Sequence, residues 1–292
     1  IMIREGTAAR NLEALVPLLT PQYAERCMFC TDDKHPSDLL EKGHIDYIAR
    51  EAINKYGVDP IIAVKAACHH ASRYFLLNNR GAIAPGYLAD FAVIDNFKDF
   101  NVEMVFKKGV LYWNNGELRD FEAPQIEEYL DKRAHDTFHV ATLTPDDFRD
   151  TRQRGVLGMV PGEIITTDNG YADHVDLEKD ILKIAVVERH KGTHHIGLGY
   201  IQGYGLRSGA VATSISHDSH NIIVVGTNSA DMAFAANYIV EHHGGIVVAE
   251  NGVVKGSVVL EIAGIMSDRP LTEVNDQLEA AKAAAFELGV SR

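Results

Sequence analysis

The sequence is short of cysteine, of positive charge and of long apolar runs. It has 3 cysteines in 292 residues, Cys27, Cys30 and Cys68, too few for a disulfide framework in a chain of this length. No apolar run approaches the roughly 20 residues of a membrane span, and the first residues lack a signal-peptide pattern. We therefore expect a soluble, cytoplasmic protein.

The charge balance is strongly acidic. The chain has 28 lysines and arginines against 41 aspartates and glutamates, a formal net charge of −13 at pH 7. Such an excess of negative charge argues against an electrostatic grip on nucleic acid or on anionic lipid. We expect a small-molecule partner and neither nucleic acid nor membrane.

Two catalytic motifs are also missing. No H-x-E triplet occurs, and Arg26 precedes Cys27 where a P-C-x-x-C motif would have proline, so the signature of cytidine-type zinc deaminases fails. No G-x-S-x-G nucleophile elbow occurs either. Cys27 and Cys30 lie three apart in a predicted strand and point to opposite faces. They are predicted to be buried structural cysteines rather than a shared metal site.

Three regions with different secondary-structure patterns follow one another along the chain. Residues 1–80 read as strand, helix, strand, helix, the end of a parallel α/β unit, with Asp59 capping a helix. Residues 81–120 read as short antiparallel strands, with a turn at Asn114-Asn115-Gly116. Residues 121–135 contain a connecting helix, and 136–292 alternate strands and helices as an α+β domain. Because the sequence opens at Ile1 inside a predicted strand, we expect a piece of a longer protein.

The stretch CTDDKHPSDLL places Asp32 and Asp33 directly after the apolar run Cys27–Cys30. The run predicts a short strand buried on both faces. The two aspartates could form an Asx turn or cap the next helix. In parallel α/β folds the carboxyl ends of strands also carry catalytic groups, so a metal ligand or proton carrier is the alternative.

The stretch SHDSHN places His217, Asp218 and His220 in a short polar insert between two apolar runs. Histidines cluster in metal and proton-transfer sites because imidazole ligates metals and titrates near neutral pH. A turn rich in serine, aspartate and asparagine would look similar, but it does not explain two histidines.

The other histidines are weaker candidates for a functional site. The pairs His69-His70 and His242-His243 are interpreted as surface or packing residues. The stretch GLGYIQGYG is interpreted as a glycine-rich loop and a binding-site candidate, although it lacks the spacing of a phosphate-binding motif. The polar residues near it are Glu188, His190, His194 and His195.

Three segments together resemble the adenine deaminases of the amidohydrolase superfamily, along essentially the whole chain. They are CTDDKHPSDLLEKGHIDYIAR, RGAIAPGYLADFAVID and SGAVATSISHDSHNIIVVGTN. The resemblance implies that residues 1–80 are the last strands of a metal-dependent (β/α)8 barrel and that 81–120 belong to a small β-sandwich. Residues 136–292 would then be the C-terminal α+β domain.

The resemblance also implies a chemistry. A dinuclear divalent metal centre of manganese, iron or zinc would hold a hydroxide that attacks C6 of adenine, giving hypoxanthine and ammonia in purine salvage. Asp32 would be a metal ligand and the proton carrier, with Asp33 as the alternative. His217, Asp218 and His220 would act near the site. We expect a homo-oligomer.

One departure from the family pattern is large. The superfamily's metal site begins with an H-x-H pair, and no two histidines in this sequence are two apart. The chain would supply one metal ligand at most. We therefore expect the carboxyl-terminal part of an adenine deaminase, inactive without the rest. The alternatives are another amidohydrolase, acting on a cyclic amide or amidine, and a non-catalytic module that retains the fold.

Overall fold

The computed structural model describes residues 1–150, 152–162 and 164–291. It divides into two compact units, Ile1–Pro124 and Gln125–Arg292, each described here by itself. Both units mix helices with β-sheets, so the expected α/β and α+β character is confirmed at that level.

The first unit begins with two short parallel strands, β1 (Met2–Arg4) and β2 (Met28–Cys30), which pair with Met2 opposite Met28 and Arg4 opposite Cys30. The predicted buried strand is therefore confirmed. The helices of this unit are α1 (Leu12–Leu15), α2 (Pro36–Glu41), α3 (Ile45–Asn54), α4 (Pro60–Val64) and α5 (His70–Tyr74). A π-helical turn, Lys65–His69, joins α4 to α5, and short 3₁₀ turns cover Val16–Leu18 and Ala24–Arg26.

The core of this unit forms because each element turns one apolar face inward. Ile3 and Phe29 from the strands and Ile48 and Ala52 from α3 are all buried in one cluster. The predicted cap of α4 is confirmed, since the Asp59 carboxylate accepts hydrogen bonds from the backbone N–H groups of its first turn. These contacts fix the helices behind the carboxyl end of β2.

The rest of the first unit is a four-stranded antiparallel sheet in the order β3-β4-β5-β6. Its strands are β3 (Phe91–Ile94), β4 (Val102–Lys107), β5 (Val110–Asn114) and β6 (Glu117–Leu118). The predicted turn between β5 and β6 is confirmed, because Asn115 and Gly116 both have positive φ angles, 46° and 98°. The assignments to a barrel end and to a β-sandwich stay predictions.

The second unit contains an eight-stranded sheet in the order β14-β13-β11-β12-β9-β10-β7-β8. Its strands are β7 (Arg154–Met159), β8 (Thr166–Ala172), β9 (Ile181–Val187), β10 (Ile196–Gln202), β11 (Ala210–Thr213), β12 (Ile222–Gly226), β13 (Gly245–Glu250) and β14 (Val253–Val259). Its helices are α6 (Glu128–His135), α7 (Ser229–Glu241) and α8 (Leu271–Glu287), with a 3₁₀ turn at Pro145–Phe148.

Helices cover both faces of this sheet. Val247 of β13 packs in the cluster that contains Ile239 of α7. Its neighbour Ile246 packs in the cluster that contains Leu278 of α8. Because successive residues of a strand point to opposite faces, α7 and α8 lie on opposite sides of the sheet.

One sequence interpretation in this unit is wrong. The stretch GLGYIQGYG was expected to be a glycine-rich loop, but Ile196–Gln202 is strand β10, paired with β9 along its whole length. Tyr200 in it is buried. At Gly199 an added Cβ would lie 3.5 Å from the carbonyl oxygen of Gly155, an ordinary contact distance, and the backbone φ angle is not positive, so neither loop conformation nor close packing requires a glycine there. Most of the stretch is therefore strand, and only its last three residues, 203–205, follow the strand as irregular chain.

Candidate functional site

Asp32 is the second residue after Cys30, where strand β2 ends. Its side chain is exposed, its φ angle is 56°, and its carboxylate forms an ion pair with the Arg4 guanidinium at the carboxyl end of β1. Arg4 and Cys30 are partners in the parallel register, which brings the two charges to the same edge. The carboxylate that sequence reasoning placed at a strand end is therefore accessible there.

Asp33 has a different environment. Its two carboxylate oxygens accept hydrogen bonds from the backbone N–H groups of Ala8 at 2.9 Å and Ala9 at 3.0 Å. Its own carbonyl accepts the Thr7 N–H at 3.2 Å. An added Cβ at Gly6 would fall 2.8 Å from the carbonyl oxygen of Thr31 and closer still to the Asp33 carboxylate. Asp33 holds the loop that follows β1.

A second hydrogen-bonded link joins that loop to α2. The Thr7 hydroxyl donates to Asp38 at 2.6 Å and accepts the backbone N–H of His35 at 2.9 Å. Burial acts to raise the pKa of Asp38, but hydrogen bonds from Lys42 and Thr7 outweigh it and lower the pKa below its ordinary value. The segment between Asp32 and α2 is thus fixed by polar contacts on both sides.

The described residues do not make a metal centre by themselves. No group of three or more histidine, cysteine or carboxylate side chains among them could hold a metal ion. Cys27 is buried and Cys30 half-buried, both are free, and burial raises the pKa of each thiol. Asp32 could supply one carboxylate ligand, and a dinuclear centre needs several more.

His217, Asp218 and His220 lie in the connection between β11 and β12. His217 and Asp218 are exposed, and His220 is half-buried. The His217 and His220 rings meet edge to face, with centroids 5.2 Å apart. The His220 backbone N–H donates to the carbonyl of the buried Ser216 at 2.5 Å, which closes the turn. The two histidine rings of the sequence motif therefore meet in space.

The residues that follow β9 lie at the same end of the sheet, since Val187 pairs with Ile222. His190 Nε2 lies 2.9 Å from the Ser219 carbonyl oxygen, which links the two connections. His194 instead lies 3.0 Å from the Asp147 carboxylate. The histidines near β10 are divided between different contacts rather than gathered in one site.

Glu188 is a structural carboxylate in this region. It accepts hydrogen bonds from the backbone N–H groups of His190 at 2.6 Å, Lys191 at 2.9 Å and Thr193 at 3.2 Å, and from the Thr193 hydroxyl at 2.8 Å. Burial would raise the pKa of Glu188, but these donors outweigh it and lower the pKa to about 2. It organises the loop after β9 as Asp33 organises the loop after β1.

Arg189 is the residue that sequence reasoning missed. It is 2% exposed, and its Nε donates to the His220 carbonyl at 2.5 Å. Nη1 donates to the carbonyl of Thr137 at 2.9 Å and to its hydroxyl at 3.1 Å, and Nη2 to the Ala263 carbonyl at 2.9 Å. The guanidinium lies 4.3 Å from the centre of the Phe138 ring. Burial lowers the pKa of Arg189, although a guanidinium stays protonated in proteins.

One signal in the sequence could have found Arg189. Ala185 and Val187 face the buried side of β9, and the alternation of a strand continues to position 189. An arginine at an inward position must find partners for its donors, because a buried charge without partners is costly.

The paired histidines are packing or surface residues, as predicted. His70 is buried, with Nδ1 2.9 Å from the Cys27 carbonyl oxygen, and burial lowers its pKa. His242 stacks on Tyr238 with ring centroids 3.9 Å apart.

Comparison with known proteins shows what each part of the chain is similar to. Residues 162–292 match the adenine deaminase C-terminal domain, and residues 4–112 match the amidohydrolase family. Proteins named adenine deaminase from Kosmotoga olearia and Desulfatibacillum aliphaticivorans are both 41% identical, over 99% of this chain. The adenine deaminase of Nitratidesulfovibrio vulgaris is 40% identical over 100% of it. The chain is thus similar in sequence to these adenine deaminases along essentially its whole length.

The matches cover only part of each family member. The chain spans about half the length of the curated relatives, 51% of the Kosmotoga protein and 52% of the other two. Within the family match, Asp32 and Asp33 fall in the amidohydrolase region, and the turn at 217–220 falls in the C-terminal domain. None of the described helices is long and apolar enough to cross a membrane.

Proposed function

We propose that the whole protein hydrolyses adenine to hypoxanthine and ammonia, with Asp32 as the proton-transferring carboxylate. The observation that carries the proposal is the contrast between the two aspartates. Asp33 has both carboxylate oxygens engaged by backbone N–H groups, whereas Asp32 presents an exposed carboxylate at the carboxyl end of a parallel strand. The family name of the relatives supplies the substrate.

In the proposed reaction one side chain first accepts a proton and then donates it. Water attacks C6 of the purine and loses a proton, and the exocyclic amine must gain one to leave as ammonia. A carboxylate near the reacting carbon can accept the first proton and donate it to the leaving group. Asp32 is suited to both steps because its oxygens are not tied up in holding the backbone. Arg4, beside it, keeps this carboxylate at the strand end.

A divalent metal belongs to the proposal for the whole protein, with a dinuclear centre of manganese, iron or zinc. Such ions lower the pKa of bound water and so generate a nucleophile near neutral pH. The described residues contribute one carboxylate, Asp32, and do not fit a complete centre. The relatives are about twice as long as this chain, so we propose that the other ligands lie in parts of the whole protein outside residues 1–292.

The finer domain assignments belong to the same proposal. Residues 1–80 form the end of an amidohydrolase barrel, 81–120 part of a small β-sandwich, 121–135 a connection and 136–292 the C-terminal domain. The parallel pair β1–β2 supports the first assignment, since parallel strands covered by helices are what a barrel contains. The antiparallel sheet β3–β6 supports the second.

His217, Asp218 and His220 are proposed to bind the purine or a water next to it. The exposed position of His217 and Asp218 and the contact between the two histidine rings support this role. Exchanging both histidines for asparagine should lower kcat/KM at least about tenfold, which corresponds to roughly 1.4 kcal/mol of transition-state stabilisation. A purely structural turn predicts unchanged kinetics.

Turnover by the whole protein tests the proposed activity. The protein would be loaded in turn with manganese, iron and zinc, mixed with adenine, and followed by the ultraviolet change as hypoxanthine forms. We expect turnover with at least one metal. No turnover with any of the three, from protein that binds the metals, would leave the adenine assignment untenable.

A further inference from the structure

The turn between β11 and β12 has a conformation that needs support. His220 has a φ angle of 50°, in the left-handed region, where residues other than glycine are uncommon and strained. Two hydrogen bonds hold it there, from the His220 N–H to Ser216 and from Arg189 Nε to the His220 carbonyl, both 2.5 Å. The first is local to the turn, and the second comes from the loop that follows β9.

Arg189 can supply that support because it is fixed from several sides. Its other donors reach Thr137, 52 residues away, and Ala263, 74 residues away. The guanidinium plane also lies over the Phe138 ring. Among the described residues its acceptors are all carbonyl or hydroxyl oxygens, so no carboxylate draws the side chain elsewhere. A planar group with donors in fixed directions positions what it binds.

The backbone around Arg189 is adapted to this arrangement. At Gly264 the φ angle is 74°, and an added Cβ would lie 2.9 Å from the Phe138 ring and 3.0 Å from Arg189 Nη2. The buried Ser214 hydroxyl donates to the Gly264 carbonyl at 2.5 Å and accepts the Gly245 N–H at 2.8 Å. The segment around Gly264 therefore closes over the guanidinium and is itself tied to β11.

We propose that Arg189 is a positioning residue for the reaction: its buried guanidinium fixes the left-handed backbone at His220 and thereby sets how the His217 and His220 rings are presented. This rests on the proposed function, since it gives the two histidines a role at the substrate. Arg189 itself does not touch substrate, because it is almost fully buried. It acts only through the turn.

A double-mutant cycle in the whole protein tests the proposal. The variants are Arg189→Lys, the pair His217→Asn with His220→Asn, and the combination of all three. Lysine keeps the charge but has a single nitrogen, so it cannot serve three chain segments at once. Arg189→Gln, which keeps a planar donor group, is prepared in parallel, and the cycle uses whichever variant unfolds cooperatively. Thr137→Val is the matched control, because it removes one contact of the guanidinium that lies away from the turn.

Kinetics give the first readout. We expect Arg189→Lys to lower kcat/KM about tenfold when both histidines are present, and less than about twofold when they are absent, because residues acting through one unit are not additive. Thr137→Val should stay within about twofold of the parent. An equal loss in both backgrounds would overturn the proposal, since it would mean that Arg189 does not act through the two histidines.

Hydrogen exchange of the amides of residues 216–221 gives the second readout and needs no activity. We expect faster exchange there in the Arg189 variant and unchanged exchange in Thr137→Val. Parent-like exchange in the Arg189 variant would overturn the proposal even if kinetics changed. Absence of adenine turnover in the parent protein would instead count against the proposed function, so the two failures are distinguishable.

Discussion

Two charged side chains of opposite sign hold the two turns that carry the candidate catalytic groups. In the first unit the Asp33 carboxylate accepts backbone N–H groups from Ala8 and Ala9, next to Asp32. In the second the Arg189 guanidinium donates to backbone carbonyls, one of them that of His220. Each charge lies against a glycine, Gly6 or Gly264, where a Cβ would collide. In both places a charge binds backbone close to a residue that we propose to act in the reaction.

The two arrangements differ in how far water can replace them. Asp33 is half-buried, so an N–H that loses its carboxylate can be hydrated in part. Arg189 is 2% exposed and its hydrogen bonds are part-buried, so water should replace this donor less readily than it replaces the Asp33 carboxylate. An unsatisfied buried polar group costs about 1–3 kcal/mol. We therefore expect Arg189 to contribute more to the free energy of unfolding than Asp33 does, although each carries a single charge.

The largest expected effect is on turnover, through Asp32, the neighbour of Asp33 in the sequence. Asp32→Asn removes the proposed proton acceptor and should lower kcat of the whole protein by about 10²–10⁴-fold, the usual contribution of general acid–base catalysis. Thermal stability should change little, because the Arg4–Asp32 pair is partly exposed and such pairs contribute about 0–1 kcal/mol. Steady-state assays and calorimetry on the same protein check this. If Asp33→Asn abolished turnover while Asp32→Asn kept it, the roles of the two aspartates would be reversed.

The next effect is on the stability of the second unit. Arg189→Met introduces an unbranched apolar side chain and removes every donor. We expect a cost of about 3 kcal/mol of unfolding free energy, since three part-buried carbonyls lose a donor. Urea unfolding followed by circular dichroism measures it. Thr137→Val removes one hydroxyl contact and should cost about 1 kcal/mol. A cost for Arg189→Met no larger than that of the control would show that the guanidinium does not hold these segments together.

A smaller loss of unfolding free energy is expected when the charge of Asp33 is removed. Asp33→Asn keeps one acceptor oxygen but turns an amide N–H₂ group toward a backbone N–H, so it should cost about 1–2 kcal/mol. The matched control is Asp218→Asn, an exposed turn residue, expected within about 0.5 kcal/mol of the parent. The same urea titration reports both. If Asp33→Asn lowered the free energy of unfolding as much as Arg189→Met, the expectation that the more buried charge contributes more would be wrong.

What could be predicted from the sequence is what local rules decide. The buried strand before Asp32, the Asp59 cap and the turn at Asn115-Gly116 each follow from a few adjacent residues, and the structure contains all three. The contact between the His217 and His220 rings is also local, because the two residues lie three apart in one turn.

The rest depended on distant partners. Strand β10 was missed because its glycines look like a loop until the neighbouring strands are known. The different contacts of Asp32 and Asp33 depend on Ala8 and Ala9, which are more than 20 residues away. Arg189 was missed because its acceptors lie up to 74 residues from it along the chain. No local pattern contains these contacts.

The smallest effect tests whether a second anion in the other unit behaves as Asp33 does. Glu188 has a folded-state pKa of about 2, below its ordinary value of 4.5. A carboxyl group whose pKa is lowered on folding stabilises the protein above its unfolded pKa, and this contribution is lost as pH falls from about 4.5 to about 2. Glu188→Gln should therefore cost about 1 kcal/mol at pH 7, and the difference from the parent should shrink at pH 3.

Melting temperatures of the parent and of Glu188→Gln at pH 7, 4 and 3 measure this. Thr193→Val is the matched variant, because it removes one donor to the same carboxylate and leaves the charge in place. Its smaller cost should fade over the same pH range, since it acts on the ionised form only. A difference for Glu188→Gln that stays constant down to pH 3 would mean that the loop after β9 is held by packing. In that case the Glu188 charge would not share the role that Asp33 has after β1.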